Sequence, residues 1–208
     1  FRKPLGKPYE PPFQPTVAKY TDNYIIMMSS SKMFSYAGQR IAILAISDAL
    51  YHRQYERLHD WCGIARLGDA FALGLLYAIS SGVSHSAQRA FAEMLRAASD
   101  GELDFVQEAS EYARRAQICK KIFLDNGFHI VYSMDGEEQV SDGFFFTAGY
   151  KDMTGEQLIN KLIYYGISAI TLAPTGSSRE GLRGCVSMIS DYQYDELDKR
   201  LRMFSQDY

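Results

Sequence analysis

A run of three serines is followed by a lysine and an arginine within residues 29–40, which read SSSKMFSYAGQR. The segment follows the apolar run of residues 24–28, which predicts a buried strand that ends at the first hydroxyl. Serine hydroxyls are neutral donors and an arginine guanidinium is a charged, bidentate one, so the set suits a bound phosphate monoester. Ser29, Ser31 and Arg40 are therefore candidate phosphate ligands.

Lys32 has two interpretations. A lysine at a strand end commonly reaches solvent through its flexible stem, and Lys32 would then be an ordinary surface residue of an unrelated α/β domain. If a phosphate is held nearby, a desolvated lysine close to the cationic Arg40 would be disfavoured as an ammonium ion. The neutral amine could then attack an aldehyde, which is how a lysine binds pyridoxal phosphate as a Schiff base.

The composition limits the function classes. The chain has 208 residues, of which 47% are apolar and 13% aromatic, so it can bury a substantial core. Lysine and arginine (22) nearly balance aspartate and glutamate (25), and no dense basic run offers electrostatic support for nucleic-acid binding. The longest apolar stretch, residues 41–46, is far shorter than the roughly 20 residues of a membrane span.

The cysteines and histidines give no metal signal. The three cysteines are widely spaced without a ligand pattern, which favours reduced thiols in a cytoplasmic protein. His52 and His59 are seven residues apart on one face of a predicted helix, but no third ligand lies nearby, so no metal site is expected.

The periodicity of apolar residues predicts helices and strands that alternate. Prolines make residues 3–15 an irregular segment, whereas helical spacing recurs at residues 41–58 and 84–98. Residues 103–126 predict a helix of roughly 36 Å, long enough to connect two domains. Further predicted strands cover residues 128–132, 143–147, 167–172 and 184–189, and further helices begin at Thr154 and cover residues 194–204. This order indicates a small α/β or α+β unit.

The segment around Lys32 resembles the S-x-S-K-x-F-x-x-x-G-x-R segment of the class I and II aminotransferases, which are fold type I pyridoxal phosphate enzymes. In that family the lysine carries the cofactor, and the serine three before it and the arginine eight after it bind the phosphate. The resemblance implies that Lys32 is catalytic and that Lys32, Ser29, Ser31 and Arg40 bind pyridoxal 5'-phosphate. It extends more weakly to residues 84–88, 143–146 and 165–176.

The resemblance also implies an architecture. Family subunits have two domains and about twice this length, with the lysine in the second half of the large domain. Residues 1–104 would be the C-terminal part of the large α/β domain, residues 105–126 a linking helix and residues 127–208 the small α+β domain. A missing N-terminal half of the same polypeptide would hold further cofactor contacts, and the enzyme would be a cytoplasmic homodimer.

The substrate site departs from the family pattern. The family usually ends with a strand of pattern G-x-V-R, whose arginine pairs with the substrate α-carboxylate, but here the matching residue is Ser187. Arg183 lies four residues earlier, on the same face of the predicted strand, and is the substitute we expect. Arg179, in the preceding turn, is a second candidate, and either could be a solvated loop arginine.

The resemblance implies an aminotransferase that acts on an amino acid and a 2-oxo acid. The altered arginine keeps a lyase or decarboxylase on the same scaffold open, and so is a noncatalytic, regulatory member.

Overall fold

The computed structural model of the protein describes residues 16–140 and 143–208. The chain divides into two compact units, one that ends at Phe105 and one that runs from Val106 to Tyr208. Both contain helices and a small sheet, so the protein has the mixed architecture that its sequence predicts. The proline-rich residues 3–15 lie outside the described residues.

The sheet of the first unit is an antiparallel pair of strands, β1 (Ile25–Ser29) and β2 (Ala42–Ile46), in which Ser29 lies opposite Ala42. β1 confirms the predicted strand but not its burial. Alternate residues point outward, and Met27 is 78% exposed. Successive side chains of a strand point to opposite faces of the sheet, and on β1 only one of these faces is partly buried, which explains the alternation.

The predicted helix over residues 41–58 is wrong. Its first part is β2, and only afterwards do α2 (Asp48–Tyr51) and α3 (Glu56–Cys62) form. An apolar run of isoleucine, leucine and alanine fits either period, and pairing with β1 satisfies its backbone groups. Ser47 starts α2, because its side chain accepts a hydrogen bond from the Leu50 amide.

The remaining helices of this unit are α4 (Leu67–Asp69), a π-helical stretch (Ala70–Tyr77), α5 (Ala78–Ser80) and α6 (His85–Ser99). α6 confirms the helix predicted at residues 84–98. Two of its residues face inward and form the core of this unit with a residue that precedes β2. That core consists of Ile41, Ala87 and Phe91, with Phe34, Tyr36, Ile43 and Leu95 packed against it.

The second unit contains most of α7 (Phe105–Asp125), which confirms the long helix predicted at residues 103–126. Its four-stranded antiparallel sheet has the order β3-β6-β8-β7. These strands are β3 (Phe128–Ile130), β6 (Phe145–Tyr150), β7 (Ile170–Thr171) and β8 (Leu182–Cys185), and a separate hairpin joins β4 (Met134–Asp135) to β5 (Glu138–Gln139).

Two further helices complete this unit. α8 (Gly155–Leu162) begins with a capping box between Thr154 and Gln157, and α9 (Tyr194–Asp207) extends three residues beyond its prediction. The fully buried side chains come from the helices, from the sheet and from the residue that follows β8, among them Cys119, Leu158, Leu162, Leu182, Val186, Leu201 and Phe204. Within the described residues, no helix is long and apolar enough to cross a membrane.

Candidate active site

The loop that carries Lys32 is closed at its base by two hydrogen bonds between Ser30 and Ile41. Ser30 Oγ donates to the Ile41 carbonyl oxygen over 2.7 Å, and the Ser30 amide nitrogen donates to the same oxygen over 3.3 Å. Ser30 is fully buried, whereas Ser29 is exposed and Ser31 half-buried. Residues 31–40 therefore form a loop between β1 and β2 whose two ends meet at the contact of Ser30 with Ile41.

Ser29 ends β1 and caps α1 (Ser30–Met33). Its Oγ accepts a hydrogen bond from the Ser31 amide over 3.2 Å. A serine hydroxyl that accepts a hydrogen bond still has its own proton to donate. Ser29 can therefore hold the start of α1 and donate to an anion at the same time.

Lys32 lies in α1 and its side chain is exposed. The desolvation expected for this lysine is thus not found within the described residues. What the structure does provide is a fixed backbone. Phe34, two residues on, packs edge-to-face on Phe91 of α6 with 5.6 Å between ring centroids, and its ring centroid lies 5.2 Å from that of Phe105.

Arg40 sits directly before Ile41 in a left-handed conformation, with φ at 53°. Its Nη1 donates to the Ala37 carbonyl oxygen over 3.0 Å, and its side chain is exposed. Left-handed backbone is uncommon for residues other than glycine, and Ser35 in the same loop shows it too, with φ at 52°. Such conformations persist only where the surrounding structure holds them, as the Ser30–Ile41 closure does here.

The donors around this loop fit a phosphate group. Ser29 and Ser31 flank Ser30, and Arg40 flanks Ile41, so all three lie next to the closure. Residues 29–41 include no aspartate or glutamate that would repel an anion. Hydroxyls with a guanidinium are suited to a dianionic phosphate monoester.

Arg183 lies in the second unit, on β8 opposite Thr147 of β6 and Ile170 of β7. Its guanidinium carbon is 4.4 Å from the centroid of the Phe145 ring, a cation–π contact. Its Nε is buried and has no hydrogen-bond partner among the described residues. A buried donor without a partner costs free energy, so this Nε–H group is suited to donate a hydrogen bond to an anionic ligand.

Ser187 does not share a strand face with Arg183, contrary to the prediction. β8 ends at Cys185, and Ser187 lies in the following turn, where its Oγ is 3.2 Å from the Cys185 Sγ. The strand predicted at residues 184–189 is therefore displaced toward the N-terminus. Arg115 of α7 contacts this turn, because its Nη1 donates a hydrogen bond to the Ser187 carbonyl oxygen.

Arg179 has local partners. Its Nη1 donates to the Val131 carbonyl oxygen over 2.9 Å, and its guanidinium carbon lies 5.0 Å from the Tyr132 ring centroid. These contacts fix the turn that precedes β8. Of the two arginines considered for the substrate, Arg183 is the one with an unpaired buried donor.

The two histidines do not share a helix face, so that prediction is wrong. His52 follows the last residue of α2, and His59 lies in α3. The described parts of the chain contain no group of three or more histidine, cysteine, aspartate or glutamate side chains that could hold a metal ion.

Sequence reasoning missed Ser30 and Arg115. A signal for Ser30 was its position between two candidate ligands, but a serine between serines does not reveal that it alone is buried. A signal for Arg115 was the spacing to Glu111, four residues earlier on a predicted helix, which favours an ion pair.

Comparison with known proteins shows the family of this chain. A search of curated proteins finds no match. The model of the family described as aminotransferase class I and II matches residues 6–201, nearly the whole chain. Members of this family generally depend on pyridoxal phosphate, act on amino and keto acids and form dimers. The chain belongs to the class I and II aminotransferase family.

Proposed function

We propose that the protein is a pyridoxal phosphate-dependent aminotransferase, which moves an amino group between an amino acid and a 2-oxo acid. The observation that carries this proposal is the Ser30–Ile41 closure, which brings the backbone on either side of Ser30 close to the backbone at Ile41, the residue after Arg40. Pyridoxal phosphate, when bound, supplies an aldehyde and a ring that takes up the electrons of the substrate α-carbon.

Lys32 has two roles in this proposal. Its Nζ would hold the aldehyde group of the cofactor until the substrate amine takes its place. The amine freed in this way would hold or move a proton at the substrate α-carbon. An exposed lysine on a short, anchored helix is suited to both roles, because a lysine side chain has a long, flexible stem.

Ser29, Ser31 and Arg40 bind the cofactor phosphate. Arg40 uses one N–H group on the Ala37 carbonyl, and a guanidinium has five, so it can still pair with two phosphate oxygens. The serine hydroxyls add neutral donors from the other side of the closure. The phosphate thereby anchors the cofactor independently of its bond to Lys32.

Arg183 binds the substrate carboxylate. Its support is the buried Nε, which has no hydrogen-bond partner in the described part of the chain, and the ring contact with Phe145, which orients the guanidinium. Serine at position 187 removes the arginine that the family pattern has there. The same replacement favours a second candidate, a lyase or decarboxylase, which would lack the second half-reaction with a 2-oxo acid.

The organisation proposed from the sequence is retained: residues 1–104 as part of a large cofactor-binding domain, 105–126 as a linking helix and 127–208 as a small domain. The division of the structure between Phe105 and Val106 supports the boundary near residue 104, and it assigns residues 106–126 to the second unit. A homodimer is proposed because the family generally dimerises. A cytoplasmic location is proposed because the three cysteines carry free thiols.

Borohydride trapping tests the proposal. The intact protein is saturated with pyridoxal phosphate, reduced with borohydride, digested and analysed by mass spectrometry. We expect the pyridoxyl phosphate mass on the peptide that carries Lys32, and none on the peptide that carries Lys19, an exposed lysine of the same unit. The variant Lys32→Arg is the matched control and should lose the adduct. An unmodified Lys32 in the saturated protein would leave a noncatalytic member as the better interpretation.

A further inference from the structure

Ser30 is the one serine in the Lys32 segment whose side chain is fully buried. Its hydroxyl and its amide nitrogen both donate to the carbonyl oxygen of Ile41. The hydroxyl bond, at 2.7 Å, has the usual length of a good O–H···O bond, whereas the amide bond, at 3.3 Å, is longer than the usual N–H···O range. The hydroxyl is therefore the stronger half of the closure.

The position of the closure matters because each proposed phosphate ligand is one residue from it. Ser29 and Ser31 are the neighbours of Ser30, and Arg40 is the neighbour of Ile41. Arg40 also has to adopt left-handed backbone, which it will leave if its end of the loop is released. A weaker closure would thus let the guanidinium drift away from the two hydroxyls.

We propose that Ser30 is a positioning residue for the cofactor phosphate: its hydroxyl, through the Ile41 carbonyl, sets Arg40 at the correct distance from Ser29 and Ser31. This inference rests on the proposed binding of pyridoxal phosphate at these residues. Ser30 itself does not touch the phosphate, because its only proton is given to Ile41.

The test compares two ligands that differ only in the phosphate. Apoprotein of the full-length chain is titrated with pyridoxal phosphate and with pyridoxal, and the ratio of their dissociation constants is measured. In Ser30→Ala, the affinity for pyridoxal phosphate should fall about tenfold, the equivalent of one hydrogen bond, while that for pyridoxal stays close to wild type. A general loss of stability would weaken both ligands and leave the ratio unchanged.

Ser47→Ala is the matched control. Ser47 is also a buried serine of this unit, and its amide donates to the Tyr24 carbonyl at the other end of the β1–β2 pair. Its Oγ donates to the Asp22 carbonyl and accepts from the Leu50 amide. Losing this hydroxyl should lower the melting temperature and leave the affinity ratio as in wild type.

Two further variants keep the test decisive if Ser30→Ala unfolds. Ser30→Thr retains the hydroxyl and should restore the ratio, whereas Ser30→Cys has a weak donor of similar size and should lower it. A wild-type ratio in Ser30→Ala, or in Ser30→Cys where Ser30→Ala does not fold, overturns the inference while the proposed function stands. If the wild-type protein binds pyridoxal phosphate no better than pyridoxal, the proposed function fails and the inference fails with it.

Discussion

Arg115 of α7 and Ser187, in the turn after β8, are joined by a 3.0 Å hydrogen bond from the arginine Nη1 to the serine carbonyl oxygen. The Nε of the same guanidinium is 2.9 Å from an oxygen of Glu111. Glu111 also binds Arg114, which reaches Asp191 over 2.7 Å. The turn that replaces the family's arginine strand is therefore tied to the long helix at both of its ends.

The ion pairs of Glu111 with Arg114 and Arg115 predict a pH-dependent contribution to stability. Hydrogen bonds from Arg114, and then from Arg115, lower the pKa of Glu111 to about 2 from its usual 4.5. A carboxyl whose pKa is lower in the folded state stabilises that state above its unfolded pKa. The contribution is therefore complete above about pH 4.5 and is lost as the pH falls toward 2. Glu111→Gln should melt at a lower temperature than wild type at pH 7, with a difference that shrinks between pH 4.5 and pH 2.

Thermal unfolding at pH 7, 5 and 3 checks this expectation. Glu93→Gln is the control, because Glu93 pairs only with Arg96 within α6, where both side chains are more than 60% exposed. Exposed pairs of this kind contribute little, so its effect should be smaller at every pH. If the Glu111→Gln variant were as stable as wild type at pH 7, the ion pairs of Glu111 would not contribute to the free energy of unfolding.

Arg183 predicts the substrate requirement. Arg183→Ala removes a charged, oriented donor, and such hydrogen bonds correspond to an affinity change of about 10–100-fold. Steady-state kinetics of the intact enzyme should show that rise in KM for the amino acid, with unchanged retention of pyridoxal phosphate. Arg179→Ala is the control, because the Arg179 guanidinium already binds the Val131 carbonyl. An unchanged KM in Arg183→Ala would remove Arg183 from the substrate site.

The elements with a long, regular apolar period could be predicted from the sequence. α7 was expected at residues 103–126 and runs from Phe105 to Asp125, and α6 was placed within one residue at each end. The helix predicted at residues 41–58 is wrong for residues 42–46, because an unbroken apolar segment fits helix and strand alike. What made it a strand was its pairing with β1, a contact between distant residues that no local pattern contains.

The candidate site was predictable to the same extent. Lys32 and Arg40 could be predicted as site residues from the sequence, because their residue types and spacing are sufficient for that prediction. The burial of Ser30 and the contact of Arg115 with Ser187 depend on which way side chains point and where the chain returns. β8 ended earlier than expected, which placed Ser187 in a turn, because the hydrogen-bonded ladder with β6 stops at Cys185.

Gly155, the first residue of α8, predicts a strong effect of a single methyl group. A Cβ there would lie 2.7 Å from the Gly181 carbonyl oxygen and 3.2 Å from the Thr171 Cβ, and the Gly155 amide donates to the Glu180 carboxylate. Alanine normally favours a helix over glycine by about 1 kcal/mol, but a clash with backbone cannot be relieved by a side-chain rotation. We expect Gly155→Ala to lower the free energy of unfolding by about 1–3 kcal/mol in urea. Gly38→Ala is the control, because its added Cβ would have no described residue other than its chain neighbours within 4 Å and its φ is not positive, so it should be nearly neutral. If Gly155→Ala were as stable as Gly38→Ala, that result would contradict the close contact between Gly155 at the start of α8 and Gly181 before β8.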